Sequence, residues 1–243
     1  MFEPQHDRMT DMFSNLFFEI ESLLSRYLFR VQSRFSVVVW EYLAYFGRTN
    51  SFPIVRGKID LGKKQADKMR AALDQGEKRG SITADFSFQA EPPTDVPAVS
   101  DLIAAVRPYV EKRLGKAYRV HTRLIRNLHF DERFENAEVY SNRWHQDSDL
   151  GSRQIKAFLA LHDVGIADGP LTFLDRSATK KNWNVLGNRW SDAGALGPLL
   201  RFDEENHFVA KRGDYVVVNT ARNLHRASVP ASSRDLLIHV LEQ

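Results

Sequence analysis

Cysteine is absent from the 243 residues. That excludes disulfides, thiolate zinc sites, iron–sulfur clusters and cysteine nucleophiles, so any metal must rest on histidine and carboxylate. The same absence fits a cytoplasmic protein. Long apolar runs are missing too. The most apolar stretch, FSVVVWEYLAYF at 35–46, carries Glu41 and falls short of the ~20 residues that cross a bilayer, so no transmembrane segment is expected. The opening MFEPQHDRMTD lacks the basic region of a secretory signal. One-sided charge is scarce: the formal net charge is +3, so a pI near 9.1 reflects a small surplus and does not by itself argue for a nucleic-acid partner. No internal repeat or low-complexity segment is found.

What is present is a change of pattern along the chain. Over 10–46, Leu16, Phe17, Ile20, Leu23, Leu24, Tyr27, Leu28 and Val31 recur at three- and four-residue steps, which predicts a helix packed on a core. A charged helix is predicted over 63–79. The proline-rich QAEPPTDVPAVS (89–100) reads as a connector, and a further helix over 98–114 should kink or break at Pro108. From 117 onward the period shortens to two. Strands are predicted in AYRVHTRLIRNLHF (117–130), 137–144, 154–164, 169–175, 207–210, 214–220 and 235–242, with 176–199 as an insertion. Many short strands imply a sandwich or barrel. The expectation is one domain over 1–243, with a mostly helical part at 1–116 packed outside a β core at 117–243.

Eight histidines are spread along this chain, and two begin an H-x-D: His129–Asp131 and His145–Asp147. At a strand end, residues i and i+2 point to one side, so an imidazole and a carboxylate can share a metal. A second histidine from elsewhere would complete a facial triad with open positions, as in non-haem Fe(II) oxygenases. A zinc hydrolase is the competing use of such a set. GDYVVVNTARNLHRASVPASSRDLLIHVLEQ (213–243) offers His225 and, nine positions later, Arg234 at the start of the last strand. Arginine's fork suits a carboxylate, here the far carboxylate of a 2-oxo acid.

RWHQD, QIKAFLALHDV, GPLTFLDRS and the 213–243 stretch together resemble the Fe(II)/2-oxoglutarate-dependent dioxygenases, in particular the phytanoyl-CoA dioxygenase-like branch. The similarity spans 117–243. His145, Asp147, His225 and Arg234 match the family pattern in order and spacing. GPLTFLDRSA lacks the Pro-Gly-Ser-His ending common there. The resemblance implies a double-stranded β-helix (jelly roll, cupin-like) core. It also implies Fe(II) on His145, Asp147 and His225, with 2-oxoglutarate as co-substrate anchored by Arg234. The implied reaction uses O2, releases succinate and CO2, and hydroxylates an unactivated C–H bond. Related halogenases keep the acid position small, so Asp147 argues for hydroxylation, with desaturation, epimerisation and cyclisation possible on the same triad. The family's use of polar inner-strand residues makes Asn127, Asn142 and Thr172 candidates for holding the co-substrate.

Other residues are read more plainly. Trp144 should turn away from the ligand beside it and pack in the core. On the strand at 154–164, Ile155, Ala157, Leu159 and Leu161 form a core face; the mixed face of Lys156, Phe158, Ala160 and His162 either borders a polar cavity or, as the preferred reading, carries Lys156 as a surface lysine. Lys112, Arg113, Lys116, Arg119, Arg123 and Arg126 read as a solvated basic face, or else a patch for an anionic substrate. The substrate expected is a small molecule or an acyl or lipid compound, and no feature fixes the oligomeric state. Two other classes stay open: a non-catalytic jelly-roll binding protein, and a cupin-like metal enzyme that does not use 2-oxoglutarate.

Overall fold

The computed structural model describes residues 54–78, 87–129, 144–145, 147, 154–175, 205–220 and 223–242. The predicted helix over 10–46, Asn142, most of the strand over 137–144 and the 176–199 insertion lie outside the described residues. The described residues fall within one compact unit, Thr49–Gln243.

Two antiparallel sheets face each other. The larger runs β1 (Val55–Lys58), β7 (Asp214–Val218), β4 (Gln154–Ala160), β9 (Ser233–Glu242), β3 (Arg119–Leu128) and β2 (Ser87–Ala90). The smaller runs β6 (Glu205–His207), β5 (Leu171–Leu174) and β8 (His225–Ala227), and His145 bridges to His225. From β4 on, the chain passes from sheet to sheet: β4 in the larger, β5 and β6 in the smaller, β7 in the larger, β8 in the smaller, β9 in the larger. This winding is the double-stranded β-helix that was expected.

Alternation along the strands divides the residues between two cores. Ile155, Ala157, Leu159, Tyr215, Val217, Leu237 and Leu241 face outward, where they meet helices α1 (Lys63–Lys78) and α2 (Pro97–Leu114). The helices present Ala66, Met69 and Leu73, and Leu102, Val106, Val110 and Leu114, at steps that return to one face. Phe158, Ala160, Val216, Val218, Leu236, Ile238 and Val240 face inward, toward Leu171 and Phe173 of the smaller sheet. Both central strands β4 and β9 are therefore buried on their two faces, which is why their sequences run apolar.

Three local readings change. α2 continues through Pro108, without the break the sequence suggested; Pro108 and Ala104 are exposed, so water can reach the carbonyl that loses its partner. β1 and β2 come from before residue 117 and complete both edges of the larger sheet. Each is four residues long, too short to show a period, and β1 contains Gly57, where Tyr215's ring lies over the backbone and leaves no room for a side chain. Finally, Arg126 leaves the basic face. It is buried and grips Asp235 with two hydrogen bonds of 2.7 and 2.8 Å, while Asp74 and Glu77 of α1 accept from its third nitrogen. Arg70 of α1 donates to the same Asp235 at 2.8 Å. Burial pushes the Asp235 carboxyl up, but the two arginines outweigh it and hold it below the usual range.

Candidate metal centre

His145 and His225 are brought together by backbone pairing. Each donates its N–H to the other's carbonyl at 3.0 Å, and their rings lie 4.2 Å apart between centroids. His225 is further fixed through Nδ1, which donates to the Asn223 carbonyl at 3.1 Å. That bond places a proton on Nδ1, so Nε2 is the atom that would bind a ligand on releasing the proton it otherwise turns toward Asp147. Asn223 is held in turn: its side chain donates to Leu174 O at 2.8 Å, and its backbone N–H to Asn219 O.

Asp147 joins them two residues after His145. Its N–H donates to Thr220 O at 3.0 Å, which pins it beside the end of β7. Asp147 Oδ2 then lies 3.4 Å from His225 Nε2, and Oδ1 lies 3.7 Å from His145 Nε2. One ligand atom from each of the three residues falls within 4.8 Å of the other two, so the three can close on a single ion. Burial pushes the Asp147 carboxyl up, but His225, Lys156 and His145 outweigh it and hold the group ionised, well below the usual range. Two imidazoles and one carboxylate make a donor set that suits Fe(II) and leaves positions open for further ligands. Asp147 Oδ2 is buried and accepts no aligned hydrogen bond, though the Lys156 ammonium stands 2.7 Å from it.

Among the described residues two arginines are buried, Arg126 and Arg234, and Arg234 is the deeper. It is 2% exposed, on the inward face of β9 with Leu236 and Ile238. Nη2 donates to Asn127 Oδ1 at 2.7 Å, while Nε and Nη1 are buried without a partner. Burial pulls the guanidinium down to about 10, so it stays charged at neutral pH. A buried cation with two idle donors costs stability unless an anion meets it. Nε–H and Nη1–H lie on different sides of the guanidinium, and each can complete a two-pronged contact with a carboxylate together with the second N–H of Nη2. The next residue on the strand, Asp235, is the one clamped from behind by Arg126 and Arg70, so the root of Arg234 is anchored.

The sequence-derived residues therefore separate. His145, Asp147 and His225 converge, and Asn127 and Arg234 pair on the inward face of the larger sheet. Thr172 does not join them. It pairs with Arg226 and His207, whereas His225 pairs with Phe173, so register turns Thr172 to the opposite face of the smaller sheet. Its hydroxyl there meets His207 Nδ1 at 3.1 Å and Ser228 Oγ at 3.0 Å. Thr172 as a co-substrate contact is thus corrected. Trp144, 1% exposed, shares that opposite face and stacks under the Arg226 guanidinium at 4.8 Å, as its place beside a ligand suggested. His129 of the discarded H-x-D pairs through Nδ1 with Pro230 O.

One site residue was misread. Lys156 points inward, with Nζ 2.7 Å from Asp147 Oδ2 and the side chain 20% exposed. Alternation puts it on one strand face with Phe158 and Ala160, and only the assembled sheets show that face to be the inner one.

No protein-family model matches this chain, and no curated protein matches it. Solved structures do. The non-heme alpha-ketoglutarate-dependent epimerase SnoN from nogalamycin biosynthesis superposes with a TM-score of 0.53 at 17% identity, over 85% of this chain and 84% of that one. The carbocyclase SnoK from the same biosynthesis gives 0.50 at 14%, over 79% and 80%. EctD from S. alaskensis, in its apoform, gives 0.50 at 14%, over 79% and 74%. At these identities the likeness establishes a shared fold: a jelly roll of the kind seen in 2-oxoglutarate oxygenases.

Proposed function

We propose that this protein is a non-haem Fe(II)/2-oxoglutarate-dependent oxygenase. The observation that carries the reading is the pairing of a closable His145–Asp147–His225 set with a buried arginine that keeps two donors idle. The fold neighbours SnoN and SnoK, described as non-heme and alpha-ketoglutarate-dependent, support it. When bound, iron and 2-oxoglutarate supply O2 activation, coupled to oxidative decarboxylation of the co-substrate to succinate and CO2. The protein's part is to hold and to exclude. His145, Asp147 and His225 fix one face of the ion and leave the other open. Arg234, oriented by Asn127, receives the far carboxylate of the co-substrate. Phe158, Val216, Leu236 and Ile238 line the space between the sheets with apolar surface, which keeps bulk water out.

The finer parts of the reading are these. The chain is closest in pattern to the phytanoyl-CoA dioxygenase-like branch. Residues 1–243 act as one domain. The reaction is hydroxylation of an unactivated C–H bond in a small-molecule or acyl or lipid substrate, with the basic face suited to an anionic one, in the cytoplasm. Asp147 at the acid position favours hydroxylation, while an epimerase and a carbocyclase among the fold neighbours make other outcomes of the same chemistry worth assaying. No described helix is long and apolar enough to cross a membrane.

The test is anaerobic addition of Fe(II) and 2-oxoglutarate to the purified protein. A weak visible charge-transfer band is expected, with loss of the band in Asp147→Ala and succinate formation on admitting O2. Metal binding without the band or succinate would favour a cupin-like enzyme of another kind. Absence of metal binding would favour a ligand-binding jelly roll.

A further inference from the structure

Lys156 lies where a lysine is costly. On β4 it pairs with Val218 of β7 and Val240 of β9, both members of the inward apolar core. Its side chain therefore enters the space between the sheets, with Phe158 and Ala160 following on the same face. The ammonium ends 2.7 Å from Asp147 Oδ2, and the Asp147 side chain is 12% exposed. Asp147 is tied by its N–H to Thr220 O, just past the end of β7, so both partners are held to the same strand neighbourhood. The approach is ionic contact, not an aligned hydrogen bond, so Oδ2 keeps a lone pair.

Two cations thus have claims on one carboxylate. A metal on Asp147 would stand within a few ångströms of a charged ammonium, in a region walled by apolar side chains where charges screen one another poorly. Among the described residues, the carboxylate of Asp147 meets the cations of Lys156 and Arg234 on the inward faces, with Arg56 at the β1 edge over Phe173. With the metal added the site becomes strongly positive, which opposes the metal and favours a dianion.

We propose that Lys156 is a positioning residue of the metal centre: it steadies Asp147 through Oδ2 and trades metal affinity for affinity toward the dianionic co-substrate. This rests on the oxygenase reading above and names a residue that reading does not use.

The test is calorimetric titration of Mn(II), and of 2-oxoglutarate at saturating Mn(II), into the wild type, Lys156→Met and Lys156→Arg. Methionine keeps the length and apolar stem but removes the charge. Expected is an opposed change in Lys156→Met: Mn(II) binds roughly tenfold tighter and 2-oxoglutarate roughly tenfold weaker, on the order of one charge–charge contact at a few ångströms. Lys156→Arg should return both constants toward the wild type. Weakening of both ligands in Lys156→Met would mean a purely structural role, and no change in either would mean a bystander lysine; each overturns the proposal. So does a Lys156→Arg that behaves like methionine, since charge would then not be the agent. If the wild type binds neither Mn(II) nor 2-oxoglutarate, the oxygenase reading itself falls, and this inference with it.

Discussion

Asn127 and Arg234 stand directly opposite each other in the pairing of β3 with β9, and the amide oxygen of one accepts from Nη2 of the other at 2.7 Å. This hydrogen bond sets the plane of the guanidinium and thereby the direction of its two idle donors. Hydrogen bonds to charged groups contribute about 1.5–3 kcal/mol. Asn127→Ala should therefore weaken 2-oxoglutarate by about tenfold while Mn(II) affinity holds, as read by titration of each. Equal loss of both would show that Asn127 supports the fold and not the arginine.

Thr172 offers the converse case. Its hydroxyl is engaged on the far side of the smaller sheet from His225. Thr172→Val removes those bonds and should lower stability by about 1 kcal/mol. Thermal melting should register that loss, while 2-oxoglutarate titration should give the wild-type constant. A fall in co-substrate affinity without a fall in melting temperature would restore Thr172 to the site.

His239 makes a pH prediction. It is fully buried on the outward face of β9, accepts from Thr122 Oγ1 at 2.7 Å through Nδ1, and donates from Nε2 to Val99 O at 3.1 Å, which ties α2 to the sheet. Burial holds the imidazole neutral and pulls its pKa down from 6.5 to about 4. The unfolded chain therefore binds the proton more readily between these values. Its stabilising contribution is complete above pH 6.5 and is lost as pH falls toward 4, on the order of 3 kcal/mol in all. Urea unfolding at pH 7 and pH 4.5 should show this loss in the wild type and a smaller one in His239→Gln, which can still donate to Val99 O. Equal pH sensitivity in the two would remove His239 as a source of acid lability.

The sequence determined a good deal without help. Period-two alternation after residue 117 marked the long strands β3, β4 and β9 and the shorter β5 and β7, because a buried strand must place apolar groups on fixed faces; the three-residue β6 and β8 are too short to show a period, and β6 lies at Glu205–His207 where 207–210 was expected. His145, Asp147, His225 and Arg234 were legible through the resemblance to the 2-oxoglutarate dioxygenase pattern, because that pattern sets their order and spacing; the H-x-D spacing by itself fitted His129–Asp131 as well. Absence of cysteine restricted any metal to these residue types. Tertiary structure decided what spacing could not. Which face of β5 looks inward depends on pairing with β8, and one residue of register put Thr172 outside. Lys156 joined Asp147 because β4 lies between β7 and β9, and the strand's own letters do not say which of its faces has a second sheet above it. Arg126 left the solvated face for the same kind of reason: its partner Asp235 is 109 positions away. Contacts between distant segments are set by strand order and register, and these are properties of the assembled sheets that no single stretch of sequence carries.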